Sequence, residues 1–198
     1  MNLKFCRLVF LSVIYLLFPI LSFCAVYYVD ANNGSNDNSG RSKDDAWKTI
    51  TFAISQVVGV KSNPAYIHVS EGVYSLESGE EFPLIMKNYM HLLGSGTQTI
   101  IKESKTEYVI YINEVIDSSL SKINFEEIFF IAINCIKSTI NIIDCNFSHN
   151  YWDIRSDNNS NLKLKRCKFD FCEDTCVSSE NSLFYLLKTQ HLIIVIPQ

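Results

Sequence analysis

The sequence lacks the patterns that mark most familiar enzymes and nucleic-acid-binding proteins. It has only seven glycines in 198 residues, and neither a glycine-rich phosphate loop nor a serine nucleophile elbow is present. Its seven cysteines and four histidines do not show the paired spacing of a zinc site. Basic residues are also scarce, since 17 Lys and Arg stand against 21 Asp and Glu. Nucleic acids and anionic membranes require clustered basic residues, so neither is expected as a partner.

The start of the chain differs in composition from the rest. Lys4 and Arg7 precede an apolar run over residues 8–23, and small residues follow around Cys24. A positive start, a short apolar segment and a small-residue cleavage site together predict a secretory signal peptide over residues 1–24. After cleavage the chain would keep 15 basic and 21 acidic residues, a net charge of about −6. We therefore expect an extracellular or cell-envelope protein without a membrane span.

Two alternatives for this segment remain open. An uncleaved apolar run would act as a membrane anchor, although its length is marginal for a hydrocarbon core of roughly 30 Å. Lipid attachment would use Cys24, but bulky Phe23 stands where a lipoprotein signal carries a small residue. The cleaved signal peptide is the favoured interpretation.

A repeat of 22 residues organises the second half of the chain. This offset aligns Cys145 with Cys167 and Phe147 with Phe169, and one step earlier it reaches Phe125. Apolar residues alternate within each copy, which is the period of a β-strand, and helical spacing is not sustained. Short strands at a fixed period predict an all-β, right-handed parallel β-helix, with coils of about 22 residues stacked roughly 4.8 Å apart.

Equivalent side chains of such coils should form ladders along the axis. The three phenylalanines would stack inside, and the aligned cysteines would pack as small buried hydrophobes. The pairing state of the other cysteines is left open. The competing interpretation is a leucine-rich repeat, which has a similar period but needs an apolar return segment. Here the return segments, 156–161 and 178–182, are polar and disfavour helix, so the β-helix is preferred.

The same offset leaves the outer surface without a catalytic cluster. It aligns Ile154 with Ala132 and Cys176, and it therefore predicts that Asp153 and Arg155, on either side of Ile154, point outwards. Their equivalents on adjacent coils are uncharged. No catalytic residue is predicted from this pattern.

The segment over about 25–64 is expected to cap the first coil. Thr49 can cap a short helix, and the apolar residues that follow recur at the spacing of one helix face. These residues are Ile50, Ala53, Ile54 and Val57. A capping helix would cover the apolar edge that the end of a β-helix exposes.

The coils are expected over about 65–187, followed by an irregular tail over 188–198. A fourth copy of the repeat begins at Ser182 and loses its pattern after Leu187. The hypothesis is that the β-helix domain of residues 25–198 is truncated, or that its tail folds back as an unusual cap. Genomic sequence beyond the last codon would decide between the two.

Several motifs in residues 27–96 resemble a known family. They are YVDxxxGSxDNSG, WKTIxxAI, IxVxEGVY, FPL and LxGSG, in this order. Together they resemble the uncharacterised N-terminal domain family of pectin-lyase-like, right-handed parallel β-helix proteins. The resemblance implies a secreted or surface protein that is often linked to polysaccharides. It assigns no reaction and no active-site residue.

The candidate binding residues are few. His149, Tyr151 and Trp152 could offer sugar rings an aromatic platform. Calcium is a weaker candidate, because the first loop carries hard oxygen ligands without the spacing of an EF-hand. Those ligands are Asp30, Asn32, Asp37, Asp44 and Asp45.

The sequence thus favours a non-catalytic module that binds polysaccharide or cell-surface glycan, or that serves a structural role. No cofactor is expected. The alternative is a polysaccharide lyase or glycoside hydrolase, and only analogy with enzymes of the same fold supports it.

Overall fold

The computed structural model describes residues 25–102, 105–187 and 194–195. These residues form eighteen strands, one α-helix and one short 3-10 turn at Lys43–Asp45. The strands are β1 (Ala25–Val29), β2 (Ala65–Val69), β3 (Gly72–Tyr74), β4 (Leu84–Ile85), β5 (Met90–Gly94), β6 (Thr99–Lys102), β7 (Tyr108–Asn113), β8 (Ser118–Ser121), β9 (Asn124–Glu126), β10 (Ile131–Ile136), β11 (Thr139–Ile143), β12 (Asn146–Ser148), β13 (Trp152–Asp157), β14 (Asn161–Lys165), β15 (Lys168–Asp170), β16 (Thr175–Ser179), β17 (Leu183–Leu187) and β18 (Ile194–Val195). The predicted signal peptide, 1–24, and most of the predicted tail lie outside the described residues.

The strands form three parallel sheets that the chain visits in turn. Sheet 1 has the order β1-β2-β5-β8-β11-β14-β17, sheet 2 the order β3-β6-β9-β12-β15, and sheet 3 the order β4-β7-β10-β13-β16-β18. Each of the five complete coils, from β2 to β16, contributes one strand to each sheet, and all the pairings between strands are parallel. The predicted right-handed parallel β-helix is therefore confirmed.

The predicted ladders are present in the core. Phe125, Phe147 and Phe169 are buried and stack face to face, with ring centroids 5.0 Å and 4.9 Å apart. Cys145 and Cys167 are buried free thiols in the same part of the core. The interior of a parallel β-helix repeats one environment on every coil, so similar side chains recur at each level.

The predicted alignment of sheet 3 is wrong by a single position. Ile154 pairs with Ile133 on one side and with Val177 on the other, rather than with Ala132 and Cys176. Residues paired between β10 and β13 are separated in sequence by one position fewer than the repeat. Residues paired between β13 and β16 are separated by one position more. The repeat therefore holds in sheet 3 only as an average. The turns on both sides of sheet 3 absorb the difference, because the offset stays at 22 in sheets 1 and 2.

Asp153 points inwards, contrary to the expectation from strand alternation. Its side chain is only 1% exposed, whereas Arg155 is half-buried at the surface. Alternation fails because each long strand of sheet 3 buries two successive residues near its start. These pairs are Val109–Ile110, Ala132–Ile133, Asp153–Ile154 and Cys176–Val177. The ladder position that Asp153 occupies is therefore apolar on the other three coils.

The single described α-helix, α1 (Ile50–Gln56), forms where the sequence predicts it. The hydroxyl of Thr49 accepts a hydrogen bond from the Phe52 amide at 3.2 Å, which caps the helix. The apolar face that includes Ile50, Ala53 and Ile54 is buried. The helix lies against β1 and β4 at the first coil, as expected of a cap.

A buried carboxylate joins this helix to the first coil. Glu80 accepts hydrogen bonds from the backbone amides of Ile50 at 2.7 Å and Thr51 at 2.9 Å. The Thr51 hydroxyl donates a third at 2.7 Å. Burial raises the pKa of Glu80, and these hydrogen bonds oppose that rise. The first amides of a helix have no partner within the helix, so Glu80 satisfies groups that would otherwise be buried and unpaired.

We expect the Glu80→Ala substitution to lower the free energy of unfolding by about 1–3 kcal/mol, the cost of leaving buried amides without acceptors. Urea unfolding followed by circular dichroism would measure it. Glu81→Ala is the matched control, since Glu81 is exposed and only its backbone contacts Thr51. Equal losses in the two variants would contradict the assignment.

Only a short part of the predicted tail is described. There β18 pairs with Val177 and Ser178 of β16, which adds a sixth strand to sheet 3. Within the described residues, no helix has the length and apolar character needed to cross a membrane.

Candidate functional site

The turns that join sheet 2 to sheet 3 carry a group of exposed aromatic residues on three successive coils. We call this group the aromatic ridge. It comprises the exposed Phe129, Phe130, Tyr151 and Phe171, together with the half-buried Trp152 at the start of β13. Phe129 and Phe171 are 73% and 76% exposed, and Tyr151 is 46% exposed. Exposed aromatic side chains concentrated at one place mark an interaction surface more often than isolated ones do.

The local backbone explains why these turns project their side chains. Glu127, His149 and Phe171 occupy equivalent positions, and each has a left-handed conformation, with φ of 54°, 54° and 57°. This conformation is uncommon for residues other than glycine, and it turns the chain directly after β9, β12 and β15. Because the coils are stacked, the ring of His149 lies against that of Phe171, with centroids 5.0 Å apart.

A buried amide holds the middle turn in place. The Asn150 carbonyl oxygen accepts a hydrogen bond from the Ile128 amide at 3.0 Å. Its amide nitrogen donates to the Phe125 carbonyl at 3.0 Å and to the Asp153 carboxyl at 2.8 Å. Asn150 thus links the middle turn to the coil before it, which fixes the position of the neighbouring ridge residues.

Two shallow pockets lie on either side of Tyr151. The first has a volume of about 290 Å³ and is lined by Glu127, Phe129, His149 and Glu173, among others. The second has a volume of about 380 Å³, and Trp152 and Arg155 contribute to its wall. Such volumes lie at the lower end of the range for small-molecule sites. The pockets therefore suit short units of an extended ligand.

Negative charge dominates the first pocket, which Glu127 and Glu173 line. The second is lined by one acidic residue, Glu107, and one basic residue, Arg155. The basic groups nearby have partners, since Lys102 pairs with Glu127 at 3.2 Å. Arg155 likewise contacts the Asp157 carboxylate at 2.7 Å. A polyanionic ligand would therefore meet repulsion here.

The structure brings the three predicted glycan-contact residues together on one surface. His149 and Tyr151 share the first pocket, and Tyr151 and Trp152 share the second. The Trp152 indole N–H donates to the Asp174 carboxylate, which orients the ring. Whether these residues contact a glycan stays a prediction.

Sequence reasoning missed other members of the site. The repeat offset relates Phe129 to Tyr151 and then to Glu173, and it relates Glu127 to His149. Extending the alignment to the outward residues of the turns would have found them.

Two of the five predicted calcium ligands of the first loop, Asp30 and Asp45, accept hydrogen bonds within the loop. The Asp30 carboxylate accepts from the amides of Asn32 at 2.9 Å and Asn33 at 3.0 Å. The Asp45 carboxylate accepts from the amide and hydroxyl of Ser39. Asp37 and Asp44 are exposed. These contacts stabilise the loop by themselves, and calcium binding stays a prediction.

The parallel coils and the capping helix together define a right-handed parallel β-helix protein. Residues 32–118 match the model of a family described as "Protein of unknown function (DUF1565)". This match covers most of the cap and the first coils, and it confirms the predicted resemblance to an uncharacterised β-helix family. No curated protein matches the sequence.

Two solved structures share the fold at low sequence identity. A GH136 lacto-N-biosidase from Eubacterium ramulus aligns with a TM-score of 0.63 and 9% identity, over 82% of this chain and 36% of its own. A rhamnogalacturonan lyase aligns with a TM-score of 0.56 and 11% identity, over 83% of this chain and 56% of its own. The chain thus spans between about a third and just over a half of these proteins. At such identities the likeness shows the fold alone.

Proposed function

We propose that this protein is an exported glycan-binding module that holds a neutral or amino-sugar chain against the aromatic ridge without cleaving it. The observation that carries the proposal is the exposed Tyr151, which stands between two pockets on the outer face of a regular β-helix. The predicted signal peptide would bring the module to the extracellular space or the cell surface.

The chemistry of the aromatic ridge suits sugars. The apolar faces of sugar rings pack on aromatic rings, and their hydroxyls donate hydrogen bonds to carboxylates. Tyr151 supplies a ring to both pockets, while Glu127 and Glu173 supply acceptors beside it. The coil repeat spaces such groups by roughly 4.8 Å along the axis, so an extended polymer can contact several of them.

The charge of the site defines the class of glycan. Polyuronates carry one negative charge per sugar, and the carboxylates of the first pocket would repel them. Neutral chains meet no such penalty, and amino sugars would gain from the same carboxylates. We therefore place neutral and amino-sugar polymers ahead of pectic acids as ligands.

The test is a binding panel on the purified chain. It would contain neutral, amino-sugar and polyuronate polymers, each scored for affinity and for released reducing or unsaturated ends. Binding to a neutral or amino-sugar polymer without product release is the expected result. Binding to polyuronates alone would overturn the proposed ligand class, and no binding to any polymer would overturn the function.

We expect Tyr151→Ala to weaken binding about tenfold or more, because aromatic residues at the centre of a contact surface carry a large share of the affinity. Isothermal titration would measure it. Tyr66→Ala is the matched control, since Tyr66 stacks on His91 at 4.6 Å on the outer face of sheet 1, away from the aromatic ridge. Equal losses in both variants would contradict the site.

A glycoside hydrolase is the second candidate, and one observation favours it. Glu127 and Glu173 line one pocket from turns that are two coils apart. That separation corresponds to roughly 9.6 Å along the axis, near the upper limit for the two carboxylates of an inverting glycosidase. If the panel gave products, Glu127→Gln and Glu173→Gln should each abolish their release while binding persists.

A further inference from the structure

A buried carboxyl group faces a disulfide next to the aromatic ridge. Cys172 and Cys176 are joined by a disulfide, with Cα atoms 5.5 Å apart. A carboxyl oxygen of Asp153 and the two sulfur atoms all lie within 4.8 Å of one another. This cluster is separate from the pockets of the proposed glycan site.

Packing alone does not explain a buried carboxyl group at the position of Asp153. Asp153 is 1% exposed, and Asn150 donates to its Oδ1. Among the described residues no hydrogen-bond partner reaches its Oδ2. Other coils put Val109, Ala132 and Cys176 at this ladder position. Burying a carboxyl there costs free energy that an alanine would not cost.

The disulfide itself contributes little to holding the fold together. It closes a loop of only four residue steps within one turn, and short loops gain the least from restricting the unfolded chain. The turn is also held by backbone hydrogen bonds, from Glu173 to Asn150 at 2.9 Å and from Asp174 to Tyr151 at 3.1 Å. Its coil position therefore does not depend on the sulfur bridge.

The two sulfur atoms differ in access. Cys172 is half-buried at the surface of the turn, whereas Cys176 is 2% exposed. A thiolate from solvent can therefore reach Cys172 and displace Cys176 towards the interior, where Asp153 lies.

We propose that Cys172–Cys176 is a thiol–disulfide exchange site, in which Asp153 donates the proton that the leaving Cys176 thiolate requires. The co-reactant is a small thiol. Its thiolate attacks the Cys172 sulfur, the bond between Cys172 and Cys176 breaks, and a mixed disulfide forms on Cys172. The Cys176 thiolate takes the proton of Asp153, which regains one from solvent. A second thiol then attacks the mixed disulfide, which leaves two cysteine thiols and one small-molecule disulfide.

The titratable and charged groups around Asp153 support its role as a proton donor. Burial raises the pKa of Asp153 to about 7, and the Asn150 hydrogen bond opposes that rise. Arg155 and Asp157, further along the same strand, pair with each other. On the adjacent turn Glu173 and Asp174 are exposed, and strands β10 and β16 place Ala132 and Cys176 beside Asp153. A carboxyl in this setting carries its proton in mildly acidic solution and releases it in mildly basic solution.

The test follows opening of the disulfide in the folded full chain with glutathione, by alkylation and mass spectrometry. Rates are divided by the concentration of glutathione thiolate, so the remaining pH dependence belongs to the protein. We expect the wild-type rate to fall about tenfold or more as the pH rises through about 7. Asp153→Asn should be slow and independent of pH over this range. Asp170→Asn, two residues before Cys172 on the same coil, is the matched control and should behave as wild type.

The site of attack gives an independent readout on the wild-type protein. Peptide mapping should find glutathione on Cys172 and not on Cys176, because only Cys172 can be reached from solvent. A flat wild-type profile, modification of Cys176, or opening that occurs only after unfolding would each overturn the proposal. These outcomes do not depend on whether the protein binds a glycan.

Discussion

Replacing Phe147 by alanine should lower the free energy of unfolding by about 3–5 kcal/mol, the usual cost of emptying a large aromatic position in a core. Phe147 is fully buried between two other rings, at 5.0 Å from Phe125 and 4.9 Å from Phe169. Alanine would leave a cavity in the middle of the ladder and remove both ring contacts. The neighbouring coils cannot close that cavity, because parallel strand pairing fixes their spacing.

Urea unfolding monitored by circular dichroism would measure this loss. Phe171→Ala is the control, since this ring is 76% exposed and should change stability by no more than about 0.5 kcal/mol. If both variants lost the same stability, the ladder would not be the main source of stability of these coils.

The Phe147 ladder and the Thr49 cap show what sequence alone could predict. Both are local patterns: a ring at a constant offset, and a hydroxyl before an amphipathic turn. A β-helix repeats the same environment at every level, so a repeat in sequence translates directly into a ladder in space.

Contacts between distant parts of the chain could not be predicted in this way. Glu80 binds the start of the helix from 30 residues away, and no periodicity connects the two. The pairing of sheet 3 was missed because one of its coils is shorter than the sequence repeat and the next is longer, so the two deviations cancel. Asp153 was expected at the surface from strand alternation, and it is buried because the long strands of sheet 3 bury two successive residues near their start.

The candidate glycan site likewise contains some residues that the sequence could predict and others that it could not. His149, Tyr151 and Trp152 were found because a cluster of aromatic residues is visible in one turn. Glu127 and Glu173 come from other turns and become neighbours only when the coils stack. A binding site on a β-helix extends along the axis over several coils, so the sequence of a single turn contains only some of its residues.

The stability of the protein should fall as the pH rises from about 4 to about 7, because of Asp153. Burial raises the pKa of its carboxyl from an ordinary 3.8 to about 7. Between these values the folded protein keeps a proton that the unfolded chain releases, so folding becomes less favourable as the pH rises. The contribution is fully present below about pH 4 and lost above about pH 7. The shift corresponds to a change of about 4 kcal/mol.

The matched variant is Asp153→Asn, which keeps the shape of the protonated carboxyl and cannot ionise. Unfolding free energies of both proteins would be measured from pH 4 to pH 8, without reductant so that the disulfide stays closed. The difference between variant and wild type cancels all other titrating groups, including Asp144, whose pKa the neighbouring Arg166 lowers. That difference should rise with pH and level off above about pH 7. A difference independent of pH would mean that the pKa of Asp153 is the same in the folded protein as in the unfolded chain. Burial would then not keep the carboxyl protonated, and Asp153 would have no advantage as a proton donor to Cys176.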